Sequence, residues 1–147
     1  MKLTTKCRYG TRAMIEIGLA HGKGSIQLKA IAERQKISPK YLVHLLASLK
    51  AAGLVKTVRG ARGGYLIGKP PSQIKLSEIF RALEGSTSPA DCVDDPGICP
   101  QSELCVTREL WARIGEAVNR VLESTTLQDL VEQRMQNEQK KKGMYYI

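Results

Sequence analysis

The sequence predicts a mainly α-helical chain with one small β-hairpin, and three observations carry that expectation. Apolar residues recur at three- and four-residue steps through most of the 147 residues. One short stretch, Val55 to Ile67, reads instead as two strands around a glycine-rich turn. One turn-rich segment, Gly85 to about Pro100, separates the helical parts. A chain of this length buries one sizeable core, or a small domain with one long extension, and two independent domains would be cramped.

Leu3 to Ala20 reads as the first helix, with Ala13, Met14, Ile17 and Ala20 on one apolar face, and Gly22 to Gly24 breaks it. Leu28 to Arg34 fits a short second helix. Ser38 then supplies an N-cap oxygen and Pro39 a preset φ with no donor to satisfy, so a third helix starts there. Tyr41, Leu42, Leu45, Leu46 and Leu49 form its buried stripe, which leaves Lys40, His44, Ser48 and Lys50 largely free. Gly53 suits the left-handed end of that helix. Val55, Thr57 and Val58 read as a strand, and Arg59-Gly60-Ala61-Arg62-Gly63-Gly64 as a flexible cationic turn before the strand Tyr65-Leu66-Ile67.

Helix, tight turn, helix and hairpin, in that order, make a winged helix-turn-helix, with the third helix placed to enter a DNA groove. Ser38, Lys40, Tyr41 and His44 are the expected contacts to phosphates and base edges, and Arg59 and Arg62 on the wing are expected to enter or flank a minor groove. The competing reading is a surface helix pair beside an ordinary hairpin. Charge favours DNA: residues 1–70 hold 14 Lys+Arg against Glu16 and Glu33 alone, whereas residues 71–147 hold 9 against 12 carboxylates. A positive field on one half would neutralise phosphates and make affinity fall with salt.

A fourth helix is expected from Ser77, taken as its N-cap, through Ile79, Phe80 and Leu83. Beyond the turn-rich segment, Leu110, Trp111, Ile114, Ala117, Val118, Val121 and Leu122 place a stripe along a long amphipathic helix. A stripe longer than its own core can cover is expected to pair with a second copy, giving a homodimer with two recognition helices. Ser124-Thr125-Thr126 is expected to cap a last helix, Leu127 to about Gln136, and Glu138 to Lys142 to be a solvated tail. The expected organisation is residues 1–85 as the DNA-binding domain, 86–105 as a cysteine loop, and 106–147 as dimerisation helix and tail.

Cys92, Cys99 and Cys105 fall at intervals of seven and six in that loop. No hydrophobic run reaches the length of a membrane span and no secretory leader is visible, so the chain reads as cytoplasmic. Disulfides are unexpected there, which favours metal binding or thiol sensing. Three soft thiolates on a wrapping loop suit an iron-sulfur cluster, while zinc sites usually pair cysteines two to four residues apart. Spacing alone leaves cluster, redox thiols and coincidence open. An enzyme is disfavoured: no nucleophile–base pair stands out, and RGARGGY lacks the Lys-Ser/Thr of a phosphate loop.

From Met1 to its end the chain resembles the Rrf-type family of bacterial winged-helix transcriptional regulators, which includes IscR, NsrR and CymR. The matching segments are MKLTTKCRYGTRAM, ISPKYLVHLLASLKAAGLVKTVRGARGGYLIGK, the three-cysteine loop, and the ELW that opens the long helix. The resemblance implies a dimeric regulator, most simply a repressor, of iron-sulfur or sulfur and cysteine metabolism genes. It also implies Cys92, Cys99 and Cys105 as ligands of a 2Fe-2S cluster near the dimerisation helix. Two departures leave the fourth ligand open: Arg108 stands where the cluster-biogenesis branch has a histidine, and Arg8 where the nitric-oxide-sensing branch has an acidic residue. Cys7 of the partner subunit is the candidate, its alternative being a small buried helix residue. Val43 replaces a glutamate that discriminates DNA sites in the biogenesis branch.

The C-terminal half, RELWARIGEAVNRVLESTTLQDL, is similar to the cysteine-metabolism repressor branch, which lacks the cysteine loop. By that resemblance Tyr146 and Ile147 are candidates for docking into cysteine synthase, a terminal carboxylate with an apolar neighbour being a known form of peptide capture. An aromatic end folded onto the dimer is the competing reading. The alternative function is therefore a cluster-free repressor, governed by thiol redox or by a partner such as cysteine synthase.

Overall fold

The computed structural model describes residues 2–145, so Tyr146 and Ile147, the expected partner tag, lie outside the described residues. Thr4 opens the first helix: its backbone is extended and its hydroxyl accepts from the Cys7 amide at 3.2 Å, after which α1 runs Thr5–Leu19. Ala13, Met14 and Ile17 are buried as expected, while Ala20 lies just past the helix and is half-exposed.

Two further helices, α2 (Leu28–Gln35) and α3 (Pro39–Ala51), are joined by a turn in which Lys36 takes the left-handed conformation at φ 53°. Ser38 caps α3, its hydroxyl accepting from the Tyr41 amide at 3.2 Å with Pro39 in the first turn, as its sequence indicates. Leu42, Leu45, Leu46 and Leu49 are buried along one face. Gly53, at φ 76°, releases the chain into β1 (Val55–Val58), which pairs antiparallel with β2 (Gly64–Ile67). Val55 stands opposite Ile67 and Val58 opposite Gly64.

The fourth helix, α4 (Leu76–Glu84), corrects one expectation. Ser77 is inside the helix and buried, and Lys75 holds the capping position, where its amide donates to the Glu78 carboxylate at 2.8 Å. The start is set from a distance, because the Leu76 amide donates to the Thr125 carbonyl at 2.9 Å and the Leu127 amide to Ile74 at 2.8 Å. The turn-rich segment is not featureless: it contains a short helix, α5 (Asp91–Asp94), and a 3-10 turn at Pro96–Ile98, with a second such turn just past it at Ser102–Leu104.

The long amphipathic helix is α6 (Val106–Ser124), followed by α7 (Leu127–Tyr145). Thr126 caps α7 reciprocally with Asp129, through bonds of 3.1 and 2.8 Å. The expected helix end near Gln136 is corrected: Glu138 to Lys142 are solvent-exposed as expected but continue the helix, because Glu, Gln and Lys are strong helix formers and Gln133–Asn137 and Arg134–Glu138 pair at one-turn spacing, 3.1 and 2.8 Å apart. Leu122, Leu127 and Val131 return to the N-terminal core beside Met14 and Ile17. Gly18 permits that approach, since a Cβ there would stand 2.9 Å from a Val131 methyl. Among the described residues no helix is long and apolar enough to cross a membrane.

Candidate nucleic-acid interface and cysteine loop

The exposed face of α3 presents Lys40, Val43, His44, Ala47 and Ser48, with Ser38 at its first turn. Free amide groups and the positive dipole end lie at that start, and Lys40 adds a cation where a phosphate would approach. Tyr41 is only half-buried and packs edge-on against Tyr9 of α1, ring centres 6.2 Å apart, so its ring braces the start of α3 while its rim stays open. Arg59 and Arg62 are both exposed at the wing tip, where Gly60 at φ 110° makes the bend and the Gly63 amide closes it on the Gly60 carbonyl at 2.9 Å. The six sequence-predicted DNA contacts thus lie on two elements, the start of α3 and the wing tip, and every one except half-buried Tyr41 is exposed.

The wing is also held from behind. Ile26 bridges Tyr65 through two backbone hydrogen bonds of 3.0 and 2.8 Å, and the Ser25 hydroxyl donates to the Arg62 carbonyl at 2.9 Å. Sequence reasoning missed Tyr9, Ser25 and Ile26 as supports of the reading elements. The local signal for Ser25 and Ile26 is a polar–apolar–polar step at 25–27, too short to read as a strand.

The loop from Gly85 to Cys105 is strapped rather than loose. Asp94 accepts from the hydroxyls of Ser86 and Ser88, both at 2.5 Å, and these two bonds hold its carboxyl below the usual range. Thr87 donates to Asn119 on α6 at 2.8 Å, and Arg108 Nε donates to the Cys92 carbonyl at 2.8 Å, which ties α5 to the first turn of α6. Arg108, at the position where the biogenesis branch has histidine, therefore closes the loop through hydrogen bonding. Cys105 is the N-cap residue of α6, and its thiol is held below its ordinary value, first by the Thr107 hydroxyl 3.2 Å away and then by the Arg108 amide.

Cys92, Cys99 and Cys105 are all free and half-exposed. Among the described residues no three His, Cys, Asp or Glu side chains stand close enough to hold one metal ion. Three soft thiols on one loop are donors of the kind that iron-sulfur centres and zinc ions both use. Cys7 is elsewhere: 3% exposed on α1, its thiol pushed up by burial and by the Glu84 carboxylate, with the Thr4 hydroxyl opposing. It lies in the wall of an apolar groove of about 470 Å³ that also takes in Leu3, Phe80, Val121 and Leu130. Along α6, Leu110, Trp111 and Val121 are left exposed at 45%, 38% and 64%.

The model of one family, Rrf2, described as an iron-dependent transcriptional regulator, matches residues 3–133. The chain is 47% identical over 130 residues to the HTH-type transcriptional regulator CymR of Bacillus subtilis, covering 88% of this chain and 89% of that one. The solved structure of CymR (YrzC), the global cysteine regulator of B. subtilis, matches with a TM-score of 0.75 at 45% identity, over 90% of this chain and 97% of that one. The structure of T. potens IscR matches with a TM-score of 0.76 at 39% identity, over 91% and 88%.

Proposed function

Because the chain belongs to the Rrf2 family of transcriptional regulators, which are not enzymes, we propose that it acts as a two-fold dimer on DNA and senses through its cysteine loop. In this reading α3 of each copy enters a major groove, with Ser38, Lys40, Tyr41 and His44 at bases and phosphates, and Arg59 and Arg62 reach the flanking minor groove. The uncovered stripe of α6 and the groove beside Cys7 support the dimer, since large apolar patches on a lone chain are unusual.

One observation carries the sensing role: Cys105 is the N-cap residue of the helix that bears the dimer stripe, and Arg108 in that helix holds Cys92. Any rearrangement of the loop therefore acts on the first turn of α6. Cys92, Cys99 and Cys105 would hold a 2Fe-2S cluster, with Cys7 of the partner subunit as candidate fourth ligand. Such a cluster supplies a centre that gains or loses an electron or is dismantled. The protein's own part is mechanical: Asp94 holds the loop to its own start, the Thr87 and Arg108 straps transmit the loop's shape to α6, and α6 sets the spacing of the two recognition helices.

A second reading is favoured by the 47% identity to CymR: a cluster-free repressor that senses thiol redox, or a protein such as cysteine synthase docked at Tyr146 and Ile147. Absorption spectra and iron and sulfide content of protein purified without oxygen separate the two, beside a Cys92→Ala control. Colour with iron and sulfide, lost in the control, supports the cluster. Colourless protein that cannot be reconstituted removes the cluster and leaves the thiol or partner reading.

A further inference from the structure

Burying a polar side chain is costly unless its hydrogen bonds are met inside the protein. Beside the helix-turn-helix two such side chains, Glu16 and Gln35, are 2% and 5% exposed and meet each other. Gln35, the last residue of α2, donates from Nε2 to Glu16 Oε1 at 2.5 Å and accepts at Oε1 from Arg12 Nε at 2.7 Å. Its backbone carbonyl accepts from the same guanidinium. Arg12 and Glu16 stand one turn apart on α1, so a single amide is gripped at both ends by one helix. Arg34 completes the group, Nη1 lying 3.4 Å from Glu16 Oε2.

The residue after Gln35 is Lys36, the left-handed residue that turns the chain toward α3. On the far side of that turn the same α1 holds α3: the Arg12 guanidinium lies 5.1 Å from the centre of the Tyr9 ring, and Tyr9 packs on Tyr41. The end of α2 and the start of α3 are therefore both referred to α1. An apolar side chain would fill the space of Gln35 but leave the Glu16 carboxylate and the Arg12 guanidinium facing each other's empty positions. An amide of this length offers the one uncharged donor–acceptor pair that suits both.

We propose that Gln35 is a positioning residue for DNA reading, fixing the angle at which α3 leaves α2; this rests on α3 being the helix that enters DNA. Gln35 is buried and touches no phosphate, so its influence acts through the orientation of α3. Loss of that orientation weakens base contacts and leaves the cationic contacts of the wing and surface in place.

The test uses a duplex selected by the unaltered full chain from a randomised pool, and an unrelated duplex of the same length, with binding followed by fluorescence anisotropy across a KCl series below the melting transition. Gln35→Leu, and the milder Gln35→Asn should the former not fold, are expected to bind the selected duplex about tenfold or more weaker, with the unrelated duplex and the salt slope unchanged. Exchanging amide and carboxylate across the same bond, Glu16→Gln with Gln35→Glu, is expected to restore binding to within about threefold, whereas Gln35→Glu alone sets two carboxylates face to face and does not. Variants that melt earlier yet keep the wild-type ratio between the two duplexes would overturn the proposal, as would an exchanged pair no better than Gln35→Glu. If the unaltered chain selects no duplex, the DNA-reading role of α3 fails first, and the role of Gln35 with it.

Discussion

Replacing Gly64 with alanine tests how rigidly the wing is hung. Gly64 has no positive φ, so the backbone itself accepts alanine, and the whole effect comes from contact. A Cβ at this position would stand 2.4 Å from the Ile26 carbonyl oxygen and 3.0 Å from the Gln27 amide nitrogen, both backbone atoms. The oxygen is about 1 Å short of ordinary contact, and the segment must retreat by that much. The bonds joining Ile26 to Tyr65, now 3.0 and 2.8 Å, would lengthen beyond hydrogen-bonding range. Two lost backbone bonds at about 1 kcal/mol each destabilise the protein by about 2 kcal/mol, or roughly 4–8 °C in melting temperature for a chain of this size. Circular-dichroism melts read the stability. Anisotropy on a selected duplex reads the wing, whose arginines lose their fixed placement, and a few-fold weaker affinity is expected. A Gly64→Ala protein that melts within about 1 °C of the parent would refute the claim that Ile26 anchors the wing.

Other perturbations have equally specific readouts. Ser38→Ala removes the cap of α3 and should cost about 1 kcal/mol in urea unfolding, while Ser38→Gly should cost only a few tenths; an alanine variant as stable as the parent would argue against a side-chain cap. Arg59→Ala and Arg62→Ala should each lower the slope of log affinity against log salt by about 1 on selected and unrelated duplexes alike, and an unchanged slope would remove that arginine from the interface. Burial raises the Glu78 carboxyl, but the Lys69 ammonium at 2.6 Å and the Lys75 amide at 2.8 Å outweigh it, leaving the group below its usual range. Its contribution to stability is therefore full above the unfolded value of about 4.3 and is lost as pH falls through the lower folded value. Glu78→Gln should flatten the acid-side decline of the urea midpoint, and an unaltered decline would contradict the pairing.

Local chemistry made the reading half legible. Ser38-Pro39 marks a helix start because the cap is made three residues away, and the leucines of α3 report its buried face because helical periodicity is local. The glycines of the wing announce its turn for the same reason. Where the structure departs from the sequence reading, a distant or distributed cause decides. Ser77 has the chemistry of a cap, yet the start of α4 is fixed by the pairing of Leu76 with Thr125, which lies 49 positions further along the chain. Glu138 to Lys142 have the composition of a tail, and only their good helix propensity, with the pairs just before them, carries α7 to Tyr145. Three cysteines in one window identify the loop from spacing, but Asp94, Thr87 and Arg108, which give it shape, are ordinary polar residues until the fold brings them to their partners.

The return of α7 to α1 limits how this protein can be rebuilt. Leu127 and Val131 roof the same apolar interior that α1 and α4 enclose, with Leu127 fully buried over Gly18. The chain is thus not two interchangeable cassettes in series. A chimera that took its cysteine loop and the first turns of α6 from a relative would need to keep residues 122–131 with their native α1, or leave the DNA-reading half with an open seam. Grafting new sensors onto this scaffold would then call for two cuts, one on each side of the loop and long helix, in place of one at their boundary.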